Sequence, residues 1–82
     1  MIIVDINVVI FDKFYDFELN EDAKVREVIE EIVHMIEQKE KTGFTGSISD
    51  LILFDRKNKK VLNLDYSLAQ QGIVSGGSLS LI

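Results

Sequence analysis

The chain predicts an α+β domain in which one long helix packs against a mixed sheet of four to five strands. Three observations carry that expectation. Two runs near the start alternate apolar and polar residues, one central stretch follows the helical period, and the second half returns to short apolar runs divided by polar turns.

The first run is Val4 to Ile10, where Val4, Ile6, Val8 and Ile10 share one parity while Asp5 and Asn7 take the other. The second is Phe14 to Leu19, with Tyr15, Phe17 and Leu19 on one side and Asp16 and Glu18 on the other. Only Phe11, Asp12 and Lys13 lie between them, which implies an antiparallel hairpin although no glycine fixes its turn type. After Leu19 the period changes. Val25, Val28, Ile29, Ile32, Val33, Met35 and Ile36 gather within about 80° of one helical direction, and Glu27, Glu30, Glu31, His34, Glu37 and Gln38 oppose them. A helix from Ala23 to Lys41 follows, with Asn20 or Asp22 as its cap, Lys39 and Lys41 suiting the negative end of its dipole, and Gly43 placed to end it.

Thr42 to Asp50 reads as a loop and Leu51-Ile52-Leu53-Phe54 as a third strand. A polar turn from Asp55 to Lys60 leads to a short fourth strand at Val61 to Leu64. Asp65 or Ser67 can cap a single helical turn that Gly72 leaves, and Ser78 to Ile82 is a closing strand with Leu79 and Leu81 on one face. Strand, strand, helix, strand, strand, helical turn, strand is the order of a β-grasp domain, whose sheet wraps its helix. Residues 1–82 form that single domain, since the chain is too short for a second core.

Composition bounds the chemistry. Apolar residues at 46% against charged residues at 28% favour a folded core over disorder. Cysteine is absent and His34 is the only histidine, which removes disulfides, thiolate metal sites and cysteine nucleophiles, and leaves no material for a histidine relay. The formal net charge is −5, and the first 40 residues hold 11 of the 14 acids with 4 of the 9 bases. Such a surface repels phosphate backbones, so no nucleic-acid partner is expected. No apolar run approaches the about 20 residues of a membrane span, and Met1-Ile2-Ile3-Val4-Asp5 lacks a basic leader. A cytoplasmic location without membrane insertion is the expectation.

The order of elements, together with Leu64-Asp65-Tyr66-Ser67-Leu68, Gly72-Ile73 and Ser78-Leu79-Ser80-Leu81, resembles the ubiquitin-like superfamily. The front half, from Val4-Asp5-Ile6-Asn7-Val8 through Asp16-Phe17-Glu18-Leu19 to Val25-Arg26-Glu27-Val28-Ile29, is similar to the EsaB/YukD family of type VII secretion accessory proteins. That resemblance implies a bacterial, cytoplasmic, non-enzymatic ubiquitin-like β-grasp protein that binds other proteins. It also implies a partner in the secretion machine, a membrane-anchored secretion ATPase or a core component. The alternative is a processed modifier or sulfur carrier serving an adenylating enzyme, a role that needs a free terminal Gly-Gly. Here Gly76-Gly77 is followed by Ser78-Leu79-Ser80-Leu81-Ile82, which reads as a turn with positive φ before a strand.

Glu30 and His34 are neighbours on a helix, yet a metal needs three or four ligands, so no metal site is assigned. Glu27, Glu30 and Glu31 lie opposite the apolar stripe and read as solvated charges rather than an acid/base group. Thr42 to Ser47 has glycines but lacks the Gly-Lys-Ser/Thr of a phosphate loop. No catalytic residue and no cofactor is expected. Arg56, Lys57, Lys59 and Lys60 form the one basic cluster, a solvated turn or a contact for an anionic partner. In Leu51-Ile52-Leu53-Phe54 one pair must face away from the helix, and we assign Ile52 and Phe54, extended by Val9 of the first strand, as a protein-binding sheet face. The competing covers for those side chains are strand curvature, a loop or a weak contact with a second copy.

Overall fold

The computed structural model describes residues 1–41, 43 and 47–82. Thr42, Phe44, Thr45 and Gly46 of the expected loop lie outside the described residues. The strands are β1 (Ile2–Val8), β2 (Lys13–Leu19), β3 (Leu53–Asp55), β4 (Lys60–Val61) and β5 (Ser78–Leu81), with the helix α1 at Val25–Glu40. Single 3-10 turns occupy Val9–Phe11, Ile48–Asp50 and Ala69–Gln71.

The sheet runs β2-β1-β5-β3-β4, so the last strand in sequence is the middle one in space. β1 and β2 are antiparallel from Ile2 opposite Leu19 to Val8 opposite Lys13. β5 lies parallel to β1, Leu79 beside Ile6, and antiparallel to β3, Leu81 beside Leu53. Val4, Ile6, Val8, Leu53, Leu79 and Leu81 thereby share the inner face, where they meet Val25, Val28, Ile29, Ile32, Val33 and Ile36 of α1, all buried. The two periods read from the sequence thus supply the two halves of one core.

Against expectation β1 begins two residues earlier, at Ile2, β3 is Leu53–Asp55 rather than Leu51 to Phe54, and β4 is only Lys60–Val61 rather than Val61 to Leu64. Three further ends differ for a visible reason. β1 stops at Val8, because the chain leaves the sheet through a 3-10 turn that closes on Asp12 at φ 51°. An aspartate tolerates that left-handed conformation better than most residues, which is how a turn without glycine is made. The helix starts at Val25 with Lys24 before it and no side-chain cap. Its first amides are satisfied from a distant segment: Val25 N donates to Tyr66 O at 2.9 Å and Arg26 N to Leu64 O at 3.1 Å. Asn20 Oδ1 instead accepts from Asp22 N, inside the connecting turn. At the other end Lys41, at φ 52°, closes the helix ahead of Gly43, its amide donating to Glu37 O.

Ser67 and Gln70 brace the last helical turn reciprocally: Ser67 Oγ accepts from Gln70 N at 3.1 Å, and Gln70 Oε1 accepts from Ser67 N at 2.9 Å. Gly72, at φ 79°, then turns the chain toward Ile73 of the core.

Candidate functional site

The outer sheet face is built by the same alternation that fills the core. Leu53 is fully buried against the helix side, so Phe54 takes the opposite face. Register then sets Phe14, Asn7, Ser80, Phe54 and Val61 in one row across all five strands. On one side of this row Ile52 pairs with Ile82 through reciprocal backbone bonds of 3.0 Å. On the other side lie Arg56, Ser78, Asp5 and Asp16. Phe14, Val61 and Ile82 are 59%, 55% and 52% exposed, which makes them the open apolar ground of the face, while Ile52 and Phe54 are half-buried.

Val9 does not belong to that strand face. Since β1 ends at Val8, Val9 opens the 3-10 turn at the sheet's end, and its exposure is that of a turn residue. The expected extension of the face by β1 parity is corrected on that ground, and Ile82, the residue just after β5, pairs with Ile52 at that end of the face instead. Phe14 could have been found by carrying the outer parity of Asp16 and Glu18 back one step. Val61 and Ile82 had no such signal, because their place depends on long-range register.

Arg56 crosses the face. Its amide donates to Ser78 O at 3.0 Å, its guanidinium reaches Asp5 Oδ2 at 3.0 Å, and its Cζ stands 5.2 Å from the Phe14 ring. The short side chains of Ser78 and Ser80 leave room for this path from β3 toward β1 and β2. Arg56 is therefore separated from Lys57, Lys59 and Lys60, which project into solvent from the turn. The turn is held by Asp55, which is only 2% exposed. Its Oδ1 accepts from Lys57 N and Asn58 N, and its Oδ2 from Asn58 Nδ2 at 2.8 Å. Burial pushes the Asp55 carboxyl pKa up, but the Asn58 side chain and the two amides outweigh it and hold the group below its ordinary 3.8.

The diglycine is locked into the sheet. Gly76, at φ 89°, donates to Ile3 O at 2.8 Å, and Gly77 O accepts from Asp5 N at 2.9 Å. A Cβ on Gly77 would stand 3.1 Å from Val74 O and 3.3 Å from Ile73 Cγ2. These glycines serve the entry into β5, whose Leu79 and Leu81 are buried. His34 is exposed, with Nε2 3.3 Å from Gln38 Nε2, and no group of three histidine or carboxylate side chains among the described residues could hold a metal ion. No helix among the described residues is long and apolar enough to cross a membrane.

The model of the family described as "WXG100 protein secretion system (Wss), protein YukD" matches residues 3–81. No curated protein matches the chain. Among solved structures, the N-terminal ubiquitin-like domain of the 4931431F19Rik protein is similar at a TM-score of 0.75 and 21% identity, covering 99% of this chain and 72% of that one. The UBL domain of Plasmodium falciparum Dsk2 follows at a TM-score of 0.73 and 16% identity, covering 98% and 93%. A computationally designed protein based on human erythrocytic ubiquitin aligns at 0.72 and 23% identity, covering 100% and 90%. These likenesses establish the ubiquitin-like fold.

Proposed function

The chain belongs to the YukD family of the WXG100 secretion system, and on that membership together with its outer sheet face we propose that it is a non-catalytic adaptor of type VII secretion. The partner is the cytoplasmic part of a membrane-anchored secretion ATPase or a core component beside it. The observation that carries the reading is the open apolar ground of Phe14, Val61 and Ile82 around the half-buried Ile52 and Phe54. Such a surface gains binding energy by leaving water, and a partner burying Phe54 and Val61 would dry the centre of the contact. Lys57, Lys59 and Lys60, beside the face but outside it, suit an acidic rim on that partner and would set orientation and encounter rate.

The geometry of Gly76-Gly77 favours docking over processing. Presenting Gly77 as a terminus would require cutting away β5, the middle strand of the sheet, with two buried leucines. The test is capture of the tagged chain from its host after mild cross-linking. The secretion ATPase should be retained by the wild type and lost with Ile52→Asp and Val61→Asp, both still melting cooperatively. Retention by both variants would remove the face, and covalent adducts ending at Gly77 would replace the adaptor with a modifier.

A further inference from the structure

The two edges of the sheet are not equivalent. β4 is two residues long, with Lys60 in it and Lys57 and Lys59 just before it, so that edge is blunted in the usual manner. β2 is seven residues long, and the chain contains no proline. Backbone groups of alternate residues in a strand point to opposite sides. In β1, Ile3 O accepts from Gly76 N and Asp5 N donates to Gly77 O, so the odd residues of β1 bond toward β5 and the even ones toward β2. Leu19, Phe17, Tyr15 and Lys13 are therefore the members of β2 bonded to Ile2, Val4, Ile6 and Val8. Phe14, Asp16 and Glu18 turn their N–H and C=O groups to the open side.

We propose that this open edge is a second docking site, which takes an extended basic segment of a partner protein as an added strand. The proposal stands on the backbone of β2 and does not rest on the outer-face reading. Asp16 and Glu18 choose the occupant. They sit at alternate positions on the outer face, where residues directly across from them lie within side-chain reach. Antiparallel pairing with a second copy centred on Asp16 would place Asp16 across Asp16 and Glu18 across Phe14, so like charges oppose self-association. A segment with lysine or arginine at the two facing positions meets opposite charge, and an apolar residue beyond them meets Phe14. Its other parity falls beside Tyr15 and Phe17, buried aromatic side chains with ring centroids 5.7 Å apart.

The test uses the ¹⁵N-labelled chain and a short, end-blocked peptide of alternating lysine and valine, with a glutamate–valine peptide for comparison. The lysine peptide should slow amide exchange at Phe14, Asp16 and Glu18, and the glutamate peptide should leave it unchanged. Joint charge reversal, Asp16→Lys with Glu18→Lys, should weaken the lysine peptide about tenfold, whereas Val61→Asp should not. Equal binding of the two peptides, or binding that leaves those three amides unprotected, would overturn the proposal. Protection that grows with protein concentration in the absence of peptide would overturn it in favour of a second copy.

Discussion

Replacing Asp55 with alanine should unfasten the basic turn and lower stability by about 2 kcal/mol. The structure sets that magnitude. Three donors converge on a carboxylate that is 2% exposed, and bonds to a charged acceptor are each worth about 1.5–3 kcal/mol before solvent is counted. Lys57 and Asn58 are exposed, so their freed donors regain water and most of the gross value returns, leaving a loss near the top of the range for deleting a helix cap, about 0.5–2 kcal/mol. For a domain of this size the corresponding fall in Tm is about 8–16 °C, followed by circular dichroism at neutral pH. Asp55→Asn, which keeps one acceptor, should fall between. The pH dependence provides a second arm. The Asp55 carboxyl titrates lower in the folded chain than its unfolded value of 3.8, so its contribution is complete above 3.8 and is lost as pH falls through the folded pKa. The gap between wild type and Asp55→Ala should hold from neutral pH down to that value and close below it. A Tm change under about 2 °C at neutral pH would refute the account of the turn.

Two further substitutions test the neighbouring geometry. Gly77→Ala should cost about 1–3 kcal/mol in urea unfolding, because its Cβ meets Val74 O at 3.1 Å and the backbone there is tied to β1; an unchanged midpoint would mean the turn has room to give. Arg56→Ala should change stability by no more than about 1 kcal/mol, since its pair with Asp5 is partly exposed on both sides and its Nε is buried without a partner. A loss of twice that would assign Arg56 a structural role that its contacts do not account for.

Periodicity made much of this fold legible. The α1 stripe and the inner parity of β1, β2 and β5 are local patterns, and each names its buried side chains without reference to any other element. What escaped the sequence is what depends on distant partners. The N-terminus of α1 shows no capping side chain because Tyr66 and Leu64 carbonyls do that work, and nothing near Lys24 announces them. Ile82 and Val61 reach the outer face only through the order β1-β5-β3-β4. Val9 misleads for the opposite reason: the alternation continues in the sequence as far as Ile10, whereas the chain leaves the sheet after Val8 into the turn that Asp12 closes. One local signal was there to be used. Asp55 and Asn58, three residues apart at the end of an apolar run, have the composition of a side-chain-capped turn.

The basic cluster shows how a local pattern changes meaning under register. Arg56, Lys57, Lys59 and Lys60 are one group in sequence, but strand geometry splits them. Asp55 keeps the inner parity of β3, so Arg56 is the first residue returned to the outer face, and there it finds Asp5 and the Phe14 ring within reach over two serines. A guanidinium engaged in this way is not a free contact for an anionic partner, whereas the three lysines beyond it are exposed. In the docking proposed above, an acidic rim would therefore meet Lys57, Lys59 and Lys60 rather than Arg56. Arg56 instead closes the polar trough between Phe14 and Phe54, joining the two apolar sides into one surface. A partner that docks on both must either lie over its guanidinium or displace it from Asp5.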